Sequence, residues 1–336
     1  MNKATLSTLL SRRRFALTVL AASSLHAAPA WAQAPAPAWP TQVVRLVVPF
    51  APGGGNDLLA RAIAPRLAEI LGQSVVVDNR PGAGGNLGTD QVAKAAPDGH
   101  TILIASNQTT INPALGVKTP FNIEKDFAPV GLIASVPIVL VANNTQPFKN
   151  LNDFLKYAQA NPGKLSYSSP GNGTPQHLAG EVFSRMTKSF MVHIPYRGTG
   201  PAVTDVVGGQ VEVTFGTMAS VLSFVETGRL MPLGIAGQQR SNLLPALPSF
   251  GEAGLKGYEA ALWYCLLAPA QTPKPVVAKL NAALNQVLKQ PQMLQQLTKL
   301  GFETETSTPE ALKGLMDRDL TRWNRVVTEH KIKVEM

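Results

Sequence analysis

The sequence predicts an α/β protein of two doubly wound lobes with a ligand cleft between them. Three observations carry this. β-Branched apolar stretches alternate with stretches of helical period along the chain after residue 40, and the alternation restarts after Ala142. Once an exported leader is removed, about 300 residues remain, more than one ordinary core needs. A composition of 45% hydrophobic and 15% charged residues fits a well-buried α/β protein.

The leader comes first. Arg12, Arg13 and Arg14 precede an apolar run over residues 15–25, and Ala30-Trp31-Ala32 supplies small residues for a leader peptidase. The run is shorter than the roughly 20 residues a membrane span needs, so residues 1–32 read as a signal peptide cleaved after Ala32. Three consecutive arginines fit either a twin-arginine signal or the basic start of a Sec signal. Removing Lys3 and the three arginines lowers the formal charge from +9 to +5. That field favours anionic small ligands or simply solubility, and no basic block with interleaved aromatics points to nucleic acid. Residues 33–40 alternate Ala and Pro and read as a tether. Cys265 is the one cysteine, so no intramolecular disulfide is available and stability rests on the core.

Residues 43–50 predict a strand, Pro52-Gly53-Gly54-Gly55 a turn, and residues 57–71 a helix with Leu58, Leu59, Ile63, Leu67 and Ile70 on its apolar stripe. A strand over 74–78, a glycine-rich loop over 79–86, a helix over 88–95 and a strand over 101–105 follow. Residues 130–142 are apolar but interrupted by Pro137, and read as buried strand and connection. The second series has a strand at 138–142, a helix at 151–160, a strand at 165–167, a turn at 168–174 and a helix at 175–187. It continues with a strand at 192–194, a helix at 201–208, a strand at 211–215 and a helix at 218–227. One more strand at 263–267 precedes helices at 275–289, 291–300 and 309–331. The economical path returns these to the first lobe, which then comprises 41–142 plus 259–336, with 143–258 as the second. Facing sheets of this kind place their carboxyl-end loops on one cleft.

Two turns stand out chemically. Ala51-Pro52-Gly53-Gly54-Gly55-Asn56-Asp57 lets backbone approach a ligand at a helix start whose free N–H groups favour an anion; the alternative is a plain turn with Asp57 as a first-turn acid. Ser168-Ser169-Pro170-Gly171-Asn172-Gly173-Thr174 repeats the arrangement before a helix carrying His177 and Glu181. Hydroxyls and backbone N–H groups hold a carboxylate without a buried counter-charge. Other chemistries find no support. Gly82-Ala83-Gly84-Gly85-Asn86-Leu87-Gly88 has Leu87 where a dinucleotide loop needs its final glycine, no phosphate-loop motif occurs, and Ser169 lacks a nucleophile-elbow setting. His177 and Glu181 share a helix face but lack a third metal ligand, and His193 reads as structural. No metal, cofactor or catalytic residue is predicted. Trp263, Tyr264 and Phe215 read as core or as the wall of an apolar pocket.

With these motifs in place, the chain resembles the substrate-binding proteins of tripartite tricarboxylate transporters, the Bug receptors, over nearly the whole mature length. The likeness runs through Pro49-Phe50-Ala51-Pro52-Gly53-Gly54 with Asp57, Val77-Asp78-Asn79-Arg80-Pro81-Gly82-Ala83-Gly84-Gly85-Asn86, Pro97-Asp98-Gly99-His100-Thr101, Ser169-Pro170-Gly171-Asn172-Gly173-Thr174, His177-Leu178-Ala179-Gly180-Glu181 and Pro195-Tyr196-Arg197-Gly198-Thr199-Gly200-Pro201-Ala202. The resemblance implies a periplasmic binding protein fold of type II-like architecture, a monomer that closes on a small organic acid and presents it to membrane transporter subunits. It implies one carboxylate grip at Ala51, Gly53, Gly54 and Asp57, and another at Ser168, Ser169, Gly171, Asn172, Gly173, Thr174 and His177. Ser106, Asn107 and the loop at Gly216 and Thr217 fall where contacts vary with the solute. Relatives often carry Asp after the strand that here ends Thr214-Phe215, and Gly216-Thr217 in its place favours mono- or dicarboxylates over amino acids. The rival readings are a ligand-binding partner of a membrane sensor and an exported hydrolase.

Overall fold

A computed structural model describes residues 39–332 apart from 259 and 330; the predicted signal peptide and all but the last two residues of the predicted tether lie outside them. The first series is β1 (Val44–Val48), α1 (Gly55–Leu71), β2 (Val75–Asn79), a 3-10 turn at Ala83–Gly85, α2 (Asn86–Ala93), β3 (Thr101–Ser106) and α3 (Gln108–Ala114). It leads into the long β4 (Phe127–Ala142). The second series is α4 (Leu151–Ala160), β5 (Ser166–Ser169), α5 (Pro175–Thr187), β6 (Val192–Pro195), α6 (Thr199–Val207), β7 (Val213–Thr217), α7 (Met218–Glu226) and β8 (Met231–Ile235). β9 (Ala261–Pro269), α8 (Lys274–Leu288), α9 (Pro291–Lys299), the short β10 (Glu303–Thr304) and α10 (Pro309–Glu329) close the chain.

The strands form one mixed sheet in the order β2-β1-β3-β9-β4-β7-β5-β6, with β8 and β10 both pairing β4. β1 lies between β2 and β3, all parallel, and β5 between β6 and β7, all parallel. β9 and β4 run antiparallel between these trios. A parallel strand covered by helices on both faces has no solvated side, which is why Val44, Leu46, Val47 and Val48 are all buried. Each such side chain contributes about 1.5–3 kcal/mol by leaving water.

β4 runs unbroken through Pro137, where the sequence predicts a break. Pro137 is the last β4 residue in register with β9, opposite Ala261, and Ile138 opens the pairing with β7 opposite Thr217. The missing proline N–H thus falls where the strand changes partner. α3, β8 and β10 are absent from the sequence expectation, and most other elements differ from it by one to three residues at their ends.

One core cluster joins Val47, Leu103, Ala105 and Cys265 of the sheet to Val92, Leu312 and Met316 of α2 and α10. A second, aromatic cluster runs from Phe148 through Phe154, Phe183 and Phe250 to Tyr258, with ring centroids 4.9–5.5 Å apart. The C-terminal helices are pinned by polar contacts: Thr110 Oγ1 donates to Asp319 at 2.6 Å, and Asn281 Nδ2 to the Val130 carbonyl at 2.7 Å. Among the described residues no helix is long and apolar enough to cross a membrane.

Candidate functional site

The carboxyl ends of β1, β3, β5 and β6 lead into loops that meet around one narrow cavity. Its walls are Phe50, Gly54 and Asn56 after β1, Ser106 at the end of β3, Pro170, Pro175 and Gln176 after β5, Thr199 after β6, and Leu262 and Tyr264 of β9. No charged side chain is among them. Helix N-termini dominate instead. Gly54 occupies the N-cap position of α1, where its lack of a side chain leaves the first turn without a side-chain cap; Gly198 does the same for α6. α5 differs, because Thr174 Oγ1 accepts from the His177 N–H and Pro175 has no N–H to offer, leaving fewer free donors there.

The first turn is held from behind. The Gly53 N–H donates to Asp57 at 3.0 Å, Arg61 Nε donates to the same carboxylate at 3.0 Å, and Asn79 Nδ2 bridges it to the Phe50 carbonyl. Burial pushes the Asp57 carboxyl up, but hydrogen bonds from Arg61, Gly53 and Asn79 outweigh it and hold the group below the usual carboxylate range. Gly53 has φ 88°, where a side chain would be strained.

The second turn is equally self-contained. Ser168 Oγ donates to the Ala202 carbonyl, and Thr174 Oγ1 to the Gly171 carbonyl at 2.7 Å. The Gly171 N–H donates to Ser169 Oγ, which lies 2.6 Å from His193 Nε2. His177 Nδ1 accepts from the Gly173 N–H, and its ring stacks on His193 with centroids 3.9 Å apart. Burial drives His177 down to about 3, helped by His193, and burial drives His193 down to about 4. Both are neutral at pH 7. Ser169 and His193 have the spacing of a nucleophile and base, but Ser169 is fully buried and is not among the cavity walls.

Of the residues singled out from sequence, Gly54 and Ser106 therefore line the cavity. Ala51, Gly53 and Asp57 shape the first turn; Ser168, Ser169, Gly171, Gly173, Thr174 and His177 shape the second. Asn107 is fully buried at the start of α3, its N–H donating to the Trp263 carbonyl. Gly216 and Thr217 are buried at the end of β7, with Thr217 Oγ1 2.8 Å from Ser220 Oγ. Of the three aromatic candidates, Tyr264 lines the cavity and Trp263 packs in the core cluster, while Phe215 is fully buried. Asn56, Gln176 and Thr199 were missed. The signal for Thr199 was present in Gly198-Thr199-Gly200-Pro201, a glycine just before a helix start.

The two sides of the cavity meet backbone to backbone. The Ala51 N–H donates to the Arg197 carbonyl at 3.0 Å, and a Cβ on Gly84 would lie 2.3 Å from the Asn172 carbonyl oxygen. Among the described residues no cluster of three His, Cys, Asp or Glu could hold a metal.

The chain matches one family model and is similar to three known proteins. The model for the tripartite tricarboxylate transporter family receptor matches residues 59–332. Protein BugT of Bordetella pertussis is 34% identical over 299 residues, covering 88% of this chain and 92% of that one. Among solved structures, R. palustris Rpa4515 with adipate superposes with a TM-score of 0.85 at 34% identity, covering 88% of this chain and 99% of that chain. MatC from Rhodopseudomonas palustris with bound malate gives 0.83 at 35% identity, covering 86% and 100%.

Proposed function

The chain belongs to the tripartite tricarboxylate transporter receptor family, and from that membership we propose that it is a periplasmic receptor that captures a small organic carboxylate and delivers it to membrane transporter subunits. The observation that carries the reading is a narrow cleft without a charged side chain in its wall, lined by Gly54 and Asn56 at the start of α1 and by Thr199 at the start of α6, two helix starts without a side-chain cap. Fixed backbone dipoles at such starts favour an anion while no counter-ion pays desolvation. Adipate and malate, bound in two relatives of similar fold, support a dicarboxylate here.

In this reading residues 1–32 are removed on export, and residues 41–142 plus 259–336 move against 143–258 about β4 and β9. The solute enters the open form, and the two turns, with Ala51, Gly53, Gly54 and Asp57 on one side and Ser168 to Thr174 with His177 on the other, close on it. Closure is favoured only by contacts that exist in the closed form, here the Ala51–Arg197 hydrogen bond and the solute's own bonds to both sides. Asp57, Ser169, Thr174 and His177 act by holding the turns in shape. A hydrolase is disfavoured because Ser169, which lies against His193, is fully buried and is not among the cavity walls.

The full chain, purified free of ligand, is screened against mono-, di- and tricarboxylates, aromatic acids and amino acids by thermal shift and calorimetry. Ligand at a hundredfold its Kd raises the unfolding free energy by about 2.7 kcal/mol, about 5 °C for a chain of this size. A saturable shift with the acid recovered unchanged is expected; no shift with any acid, or turnover of the acid, refutes the receptor. A pull-down from membranes that recovers a sensor kinase and no transporter subunit would move the delivery step to sensing.

A further inference from the structure

We propose that the Tyr264 hydroxyl is a direct solute donor that, with Ser106 facing it, sets which acids the cavity accepts; this rests on the receptor reading above. Tyr264 is 1% exposed and lines the cavity. Other buried tyrosines satisfy their hydroxyls inside the protein: Tyr258 donates to the Ala179 carbonyl at 2.7 Å and Tyr167 to Glu181 at 2.9 Å. The Tyr264 hydroxyl forms no hydrogen bond with another described residue, and burial alone pushes its ionisation up. A buried phenol oxygen left in this way at a cavity wall is placed for a partner that arrives from outside.

Its position is fixed by packing. The ring meets Phe302 edge-on at 5.8 Å. The hydroxyl sits over Gly55, where a Cβ would lie 2.0 Å from it, so the glycine that opens α1 leaves room for the phenol. The O–H therefore converges on the uncapped first turn of α1. In the antiparallel register of β3 and β9, Ser106 lies directly opposite Tyr264, so both side chains leave the same face of the sheet, and both reach the cavity wall. With no cation in the wall, neutral donors carry the whole recognition of an anion, and the loss of one is felt strongly.

The test is calorimetry on the full chain with succinate, malate, adipate and benzoate as probes. Tyr264→Phe keeps the ring and its packing and removes only the hydroxyl. The expected result is an unchanged melting temperature without ligand and an affinity about tenfold to a hundredfold weaker for the acids the parent binds. Ser106→Ala is expected to weaken the same acids. A loss uniform across acids places the hydroxyl on a carboxylate, and a loss confined to some of them places it on another polar group of those acids. Affinity unchanged in both variants for every acid the parent binds overturns the assignment and leaves the receptor intact. A parent that binds none of the acids in the wider screen removes the receptor reading and this assignment together.

Discussion

Lowering the pH from 7.5 to 5.0 is expected to destabilise the protein through His177 and His193. Both rings are neutral in the fold because burial holds them at about 3 and about 4, against an ordinary histidine value of 6.5. Unfolding releases them, so the unfolded state binds more protons than the native state everywhere between 6.5 and the folded values. Stability is therefore fully present above 6.5 and is lost as the pH falls. At pH 5.0 the loss is 1.5 pH units at about 1.36 kcal/mol each, about 2 kcal/mol for His177. His193 is only partly covered, and after discounting for its exposure the pair contributes about 3 kcal/mol. The surroundings offer little relief: the Tyr167 ring packs tilted against His193 at 4.9 Å, and its hydroxyl rather than either imidazole donates to the Glu181 carboxylate. The assay is urea unfolding at both pH values for the parent and for a His177→Gln, His193→Gln double variant, which removes these titrations and leaves all others. The parent should lose about 3 kcal/mol more than the variant between the two pH values. Equal losses would refute the argument that buried neutral imidazoles set the acid limit.

Three further outcomes follow from the same geometry. Gly55→Ala drives a Cβ into the Tyr264 hydroxyl and should cost about 1–3 kcal/mol in urea unfolding while abolishing acid binding in calorimetry. Asp57→Ala removes the acceptor for Gly53, Arg61 and Asn79, and should cost about 1–3 kcal/mol at pH 7; because the folded carboxyl ionises below its usual range, that difference fades as the pH falls below about 4. Gly84→Ala blocks the approach of the Asn172 carbonyl and should weaken acids at least about tenfold, with solution scattering of the acid-saturated variant more extended than that of the parent.

By itself the sequence determined the α/β class, the order of most elements and the two glycine turns, because these depend on local properties. Apolar period, β-branching and glycine at a helix start act within a few residues, and the motif Pro52-Gly53-Gly54-Gly55 already marks a helix start whose N-cap has no side chain to offer. The continuity of β4 through Pro137 was not legible, since it depends on which strand faces that residue. Nor was the division of labour in the site. Ser169, Thr174, His177 and Asp57 have the chemistry of ligand contacts, yet their hydroxyls, imidazole and carboxylate are hydrogen-bonded within their own turns. Whether a polar atom turns inward to hold a loop or outward to hold a solute is decided by partners far away in the chain. Only the tertiary structure set Tyr264 of β9 opposite Ser106 of β3 and over Gly55 of α1, leaving a buried hydroxyl aimed at a cavity. Strand pairing across 158 positions of sequence made that neighbourhood, and no local pattern encodes it.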